Sequence, residues 1–430
     1  MNNKKNKSFE TNCVHGTYIA GNKEPQHLPI IQSTVSRFYN SEDLAAIFSL
    51  ETPGHLYSRM TNPTVTKLEE KMALLEGGTS AVATASGQSA NMLALLNIMG
   101  SGDHFLASST LYGGTYNLIA VTFAKLGVEL TQFDQELPAD EILAMAKPNT
   151  KAVFVETVAN PALNVLDFEK FSAIAKKLRV PLIVDNTFVT PALCKPFEHG
   201  ADVVTHSLTK YADGHASAVG GVIIDGGTFD WVAAADKYPD MIEADQTYHG
   251  LKFHERFGNA AYGEKARAQL LRDIGFIMAP MNAYLTHQGL QTLHLRMERH
   301  CENALALAEY LNTHDMVDWV RYPGMKGDKY YDLAQKYLPK GAGGAITFGV
   351  KGGRKVGEKF LEKLKLTSLV VHFGDVRTCV LHPASTSHRQ LSEEAQLKAG
   401  IKPELIRISV GIEGIDDIKE DFDQALKAVK

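Results

Sequence analysis

Lys210 ends VVTHSLTK, an apolar run threaded with hydroxyls that dissolves into the small residues of YADGHASAVGG. Desolvating an ammonium is costly, so such a lysine either reaches water or is buried for chemistry. Asp185 closes a second apolar run in VPLIVDNT, where a carboxylate could cap a helix or hold a cationic heterocycle. Gly87 and Gln88 follow SAVATAS and lead into a helical pattern. Backbone N–H groups at a helix start, approached through a glycine, form an anion cradle, although an ordinary tight turn reads the same way in isolation. Together the three positions match the needs of pyridoxal phosphate. Its aldehyde takes a lysine as a Schiff base, and its pyridine nitrogen needs a carboxylate to stay protonated so that the ring is an electron sink. Its phosphate needs backbone donors and hydroxyls such as Ser207 and Thr209. Asp185 precedes Lys210 by 25 residues, about one strand–connection–strand unit, so both can reach one pocket edge.

Such convergence requires alternating strands and helices. SAVAT, DHFLAS, KAVFVET, VPLIVDNT, ADVVTHS and AVGGVIID read as short strands, and SANMLALLNIM, YNLIAVTFAKLG and FEKFSAIAKKL as helices between them. Asn62 followed by Pro63 marks the start of a helix over VTKLEEKMALLE, stopped by Gly77 and Gly78. This alternation predicts a mostly parallel sheet covered on both faces, with ligands outside the carboxyl ends of the strands. Residues 1–62 are polar and turn-rich and read as a loosely structured arm. Residues 63–279 read as a large domain, with an aromatic, turn-rich insertion over 225–258, and residues 280–430 as a smaller α+β domain. The strands GAITFGV and LIRISVGIE and the helix LHLRMERHCENALALAEYLN belong to that last part.

The chain has 430 residues, 44% of them hydrophobic, and a net charge of -5, which argues against a nucleic acid or an anionic membrane as partner. No apolar run approaches the roughly 20 residues of a membrane span, and MNNKKNKSFE lacks a secretory h-region. Cys13, Cys194, Cys301 and Cys379 are scattered without a CxxC pair, as in a cytoplasmic protein with reduced thiols. Neither His199, His206 and His215 nor His372, His382 and His388 have close ligand spacing on one helix, so no metal site is expected. KGAGGAITFGV fails the dinucleotide fingerprint at Ile346.

THSLTKYADGHASAVGG resembles the lysine motif of the pyridoxal-phosphate enzymes of Cys/Met metabolism. YSRMTNPT, LEGG, ATASGQ, LYGGTYN, ETVANPALNVLD, VDNT, HPASTSH and LIRISVGIE resemble further blocks of that family in the same order, over nearly the whole chain. The resemblance implies an α/β, type I aminotransferase-like transferase fold: a mostly parallel seven-stranded sheet with a smaller α+β C-terminal domain. It implies that Lys210 carries the cofactor and shuttles protons, and that Asp185, with Thr187 beside it, serves the pyridinium. Gly87, Gln88, Ser207 and Thr209 would bind the phosphate. Tyr57 and Arg59 would reach the phosphate of a neighbouring subunit, in a homotetramer built from dimers that share active sites. Tyr112 would stack on the ring and assist proton transfer. Asn160 and Arg407 would bind the substrate α-carboxylate, a task that suits the planar fork of an arginine.

Methionine γ-lyases carry a cysteine where this chain has Gly114, and SGQ, DGGTFDW and TYHGLKF resemble the O-acetylhomoserine sulfhydrylases. The reaction implied is γ-replacement: O-acetyl-L-homoserine and sulfide or a small thiol give homocysteine or methionine, plus acetate. Lys210 would be the base, its pKa depressed by its setting. A cystathionine or methionine γ-lyase and a cystathionine γ-synthase are the alternatives within the family. The sequence leaves the sulfur donor and the acyl group open. His372 stands where the family commonly has Ser or Asn, and it would either replace them as a donor to the carboxylate or alter substrate choice.

Overall fold

A computed structural model of the chain describes residues 7–430 except 388, 390, 391 and 399, so His388 of HPASTSH lies outside the described residues. A seven-stranded sheet carries β1 (Ser80–Thr84), β2 (His104–Ser108), β3 (Glu129–Phe133), β4 (Thr150–Glu156), β5 (Leu182–Asp185), β6 (Val203–Ser207) and β7 (Gly221–Asp225) in the order β1-β7-β6-β5-β4-β2-β3. Alternation along the strands explains why both faces are covered. In β4, Val153 and Val155 join one apolar cluster while Ala152 and Phe154 join the other, and in β7 Val222 and Ile224 oppose Ile223.

Two strands depart from the sequence reading. β7 runs antiparallel to both β1 and β6. The stretch between Ser207 and Gly221 contains no helix and turns straight back, whereas a parallel return needs a longer crossover. β3 was not anticipated. It pairs only with β2, at the sheet edge, and its half-exposed ELTQF carries too little apolar signal to read as a strand.

The Pro63–Glu76 helix begins where expected, with the Asn62 side chain accepting from the N–H groups of Thr64 and Val65. It buries Leu68, Met72 and Leu75 against the sheet. The arm is more ordered than its composition indicates: Phe9–His15 and Ser41–Phe48 are short helices capped by Ser8 and Asn40. Residues 225–258 send Trp231, Tyr238, Met241, Tyr248 and Phe253 into the cluster that holds Phe154, and Trp231 stacks on Tyr262 at 5.7 Å.

The second sheet comprises β8 (Val317–Arg321), β9 (Ala345–Val350), β10 (Ser368–Leu369), β11 (Cys379–Leu381) and β12 (Leu405–Ser409), ordered β10-β11-β12-β9-β8. Strand β12 pairs antiparallel with β9 and β11 and is buried throughout, which places Arg407 in the interior. All four cysteines are buried free thiols. No helix among the described residues is long and apolar enough to cross a membrane.

A buried ion pair ties the Pro63–Glu76 helix to β1 and to the helical stretch after residue 260. Arg267 donates to both Glu69 carboxylate oxygens, at 3.1 and 2.9 Å, and to the carbonyls of Ala81 and Met60. The N–H of Ala83 donates to the same carboxylate. Removing one partner leaves the other charge buried, so Arg267→Met should cost about 3–5 kcal/mol of stability in urea denaturation. The double variant Glu69→Leu, Arg267→Met should recover most of that loss; equal losses in the two proteins would show that the pairing is not what matters.

Candidate active site

The parallel strands β1, β4, β5 and β6 end along one edge of the sheet, bringing Thr84, Glu156, Asp185 and Ser207 together, with Glu156 beside Asp185 and Asp185 beside Thr205 in register. The Gly87–Leu96 helix starts against this edge. A Cβ at Gly87 would lie 2.6 Å from Ser207 Cβ, so only glycine lets the helix begin this close to β6. Ser86 caps it by accepting from the N–H of Ser89. The N–H groups of Gly87 and Gln88 meet no acceptor among the described residues, which is the geometry of an anion cradle at a helix N-terminus.

A cleft of about 150 Å³ opens beside this helix start. Gly87, Gln88, Tyr112, Asn160, Asp185, Thr187, Ser207, Thr209 and Lys210 line it, as do Ser86, Asn91, Thr115, Glu156, Val158, Phe188 and Phe373. The 225–258 segment contributes none of these lining side chains. Thr187 orients Asp185: its hydroxyl donates to Oδ1 at 2.5 Å, its N–H donates to the same oxygen at 3.1 Å, and its Oγ1 accepts from the N–H of Ser207. Thr209 exchanges two hydrogen bonds with the backbone of Gly220 and so pins the loop that follows Lys210.

Lys210 keeps some surface in the cleft but finds no acceptor for its Nζ among the described residues. Burial, reinforced by the nearby charge of Arg407, lowers its pKa to about 8. Arg407 reaches the cleft from the second sheet, where it donates to Asn160 Oδ1 at 3.2 Å and to the His372 carbonyl at 3.1 Å. Its own pKa falls to about 10 because it is buried. His372 has its Nε2 buried without a partner among the described residues, and burial followed by the Lys210 charge lowers its pKa. Phe373 stacks on Phe188 at 3.9 Å and closes the floor.

Glu156 went unnoticed in the sequence, although it ends an apolar strand just as Asp185 does. Its two oxygens accept from the N–H groups of Tyr112, at 2.7 Å, and Asn160, at 3.1 Å, joining the loops that carry those side chains. Burial, with the Asp185 charge adding to it, pushes its carboxyl well above the usual range. Asn91 was also missed; its position one helical turn beyond Gly87 was the available signal. Tyr57 and Arg59 do not line the cleft of their own chain: Tyr57 is exposed, and the Arg59 guanidinium lies 5.4 Å from its ring centre. A larger cleft, about 780 Å³, lies between the 47–56 segment and Arg267, but its buried charges, Glu69 and Arg267, already satisfy each other. Among the described residues no group of His, Cys, Asp or Glu is placed to hold a metal ion.

These residues fit pyridoxal phosphate. The cleft holds a lysine whose burial eases the loss of its proton and a carboxylate braced from two sides. It also holds a cradle of free N–H groups that a side chain at position 87 would disturb, and Gln88 Oε1 is buried there without a partner among the described residues.

Residues 10–427 match the family described as Cys/Met metabolism PLP-dependent enzyme. The chain is 46% identical to the O-acetyl-L-homoserine sulfhydrylase of Leptospira meyeri over 435 residues, 98% of this chain and 97% of that one. It is 45% identical to the homocysteine synthase of Schizosaccharomyces pombe over 421 residues, 97% of this chain and 98% of that one. Among solved structures it resembles a Campylobacter jejuni chain proposed to be an O-acetylhomoserine (thiol)-lyase, which contains N'-pyridoxyl-lysine-5'-monophosphate. The TM-score is 0.95 at 38% identity, over 98% of this chain and 100% of that one.

The setting of Lys210 is testable without cofactor. Its modification by a small amine-directed electrophile, followed by peptide mass spectrometry, should titrate with a midpoint near pH 8. Arg407→Leu removes a repelling cation and should move that midpoint upward. A midpoint at the ordinary lysine value in the unmodified chain would contradict the assignment.

Proposed function

Because this chain belongs to the Cys/Met metabolism PLP-dependent enzymes, we propose that it is an O-acetylhomoserine sulfhydrylase, a transferase that converts O-acetyl-L-homoserine and sulfide to L-homocysteine and acetate. The observation that carries this reading is that the cleft lined by Lys210 and Asp185 is bordered by Arg407, which arrives from the second sheet and donates to the lining Asn160. Bound pyridoxal phosphate supplies the electron sink that makes the substrate protons next to the amino group acidic. The chain supplies everything else. Gly87, Gln88 and Ser207 would present donors to the phosphate, Thr209 would border it with its hydroxyl bonded to Gly220, and Asp185 would serve the ring nitrogen. Tyr112, which lines the cleft, would cover the ring. Arg407 and Asn160 hold the α-carboxylate, and His372, on the loop that Arg407 grips, borders the same end of the substrate. Lys210 Nζ, which loses its proton more easily than an ordinary lysine, takes the α-proton and returns it.

Gly114 supports replacement chemistry over methionine elimination. A Cβ at that position would lie 2.6 Å from Tyr112 Cε1 and 2.8 Å from Gln88 Nε2, so any larger residue displaces the tyrosine. Tyr57 and Arg59 sit away from their own cleft, which fits a role toward the phosphate of a neighbouring copy. The exposed arm residues Ile19, Ile31, Val35 and Phe48 offer apolar surface for that contact. The assembly is then a homotetramer of two such dimers, and the buried thiols suit the cytoplasm.

Purified enzyme given O-acetyl-L-homoserine and sulfide should release homocysteine and acetate in equal amounts. Ketoacid appearing faster than homocysteine, or turnover of cystathionine or methionine in preference, would sink the transferase reading. Arg407→Leu should lower kcat/KM roughly 10- to 100-fold, mainly through KM, because a hydrogen-bonded charge partner of the carboxylate is lost.

A further inference from the structure

Asn91 is a buried asparagine on the helix that opens the anion cradle, one turn after Gly87. Its Nδ2 donates to Asp185 Oδ2 at 3.2 Å and lies 3.4 Å from Thr115 Oγ1, and its Oδ1 accepts from the Thr205 hydroxyl at 2.6 Å. The amide orientation follows from chemistry. A carboxylate only accepts, so Nδ2 must face Asp185, and Oδ1 must then face Thr205. Asp185 and Thr205 are register partners on β5 and β6, so one amide clasps both members of a cross-strand pair. Thr115, which follows Tyr112 on the next helix, also accepts from Gln88 Nε2 at 3.3 Å. Thr187 holds Asp185 Oδ1 and Asn91 holds Oδ2, so the carboxylate cannot rotate without breaking a bond on one side.

We propose that Asn91 is a positioning residue for the pyridine nitrogen: through Asp185 Oδ2 it fixes the carboxylate that meets the ring, and Thr205 in turn fixes Asn91. The inference rests on the reading that Asp185 serves bound pyridoxal phosphate. Asn91 touches no reacting atom, and its effect is confined to a cofactor that has a nitrogen at that ring position. Networks of this kind act together, so removing either end should release the same restraint.

The test is binding to the cofactor-free chain of pyridoxal phosphate and of its 1-deaza analogue, in which a C–H replaces the ring nitrogen, by absorbance titration and equilibrium dialysis. Asn91→Leu should weaken pyridoxal phosphate roughly 10- to 100-fold, the value of a hydrogen bond to a charged group, and leave the deaza analogue little changed. Thr205→Val, which keeps the side-chain shape, should act in the same direction but less strongly, and the double variant should be no worse than Asn91→Leu. Unchanged binding of pyridoxal phosphate in Asn91→Leu, or equal weakening of both cofactors in either variant, would overturn the proposal. If Asn91→Leu does not fold, Thr205→Val decides by the same comparison. Failure of the unsubstituted chain to bind pyridoxal phosphate would instead overturn the functional reading beneath it.

Discussion

Two cations share a desolvated cleft, and the rest of the architecture accommodates that constraint. Lys210 follows a strand of the first sheet and Arg407 lies on the second; the Arg407 charge lowers the Lys210 pKa, while Arg407 itself is lowered by burial. Among the described residues no carboxylate pairs with either directly. Arg407 keeps its charge because Asn160 and the His372 carbonyl receive its donors, whereas Lys210 has no acceptor among the described residues and yields its proton more easily. This asymmetry suits one cation to anchor an anion, as proposed for Arg407, and the other to exchange a proton, as proposed for Lys210. It depends on the second sheet being docked so that the buried β12 delivers Arg407 beside Asn160.

The acids around the cleft follow the same logic. Asp185 is braced by donors from Thr187 and Asn91, while Glu156 sits deeper and spends its oxygens on the backbones of Tyr112 and Asn160. One carboxylate remains available to a cationic ring and the other has become a structural tie. On the opposite face of the sheet, side chains adjacent to these strand ends form a second network. His206 meets Glu76 at 2.5 Å, Asn186 donates to the same Glu76 oxygen, and Thr157 donates to Asn186. Strand alternation makes this possible: the neighbours of Glu156, Asp185 and Ser207 point away from the cleft, where buried polar groups hold the edge of the sheet from behind.

Much of this was legible in the chain itself. Apolar runs ending in Asp185 and in Ser207 through Lys210 marked strand termini, and Asn62, Pro63 and Gly77 bounded a helix, because caps and strand ends are local signals. β3 was not legible, since a strand with one neighbour needs few apolar residues. The reversed direction of β7 was not legible either, because direction lies in the connection rather than in the strand. The aromatic residues of 225–258 looked like a departure from the βαβ rhythm because their partners, such as Tyr262 and the Phe154 face of the sheet, lie on other elements.

The sequence by itself determined the chemistry: a lysine, an acid, a glycine-opened helix and an arginine are irreplaceable by type, and type is what a sequence records. The tertiary structure alone decided the state and orientation of those groups. Lys210 is depressed to about 8 only because folding buries it near Arg407, a residue almost two hundred positions away. Asp185 has one orientation because Thr187, two residues on, holds one oxygen and Asn91, from a helix more than ninety positions earlier, holds the other. Charge state and hydrogen-bond direction depend on distance and desolvation, and neither exists until the sheets have closed around the cleft.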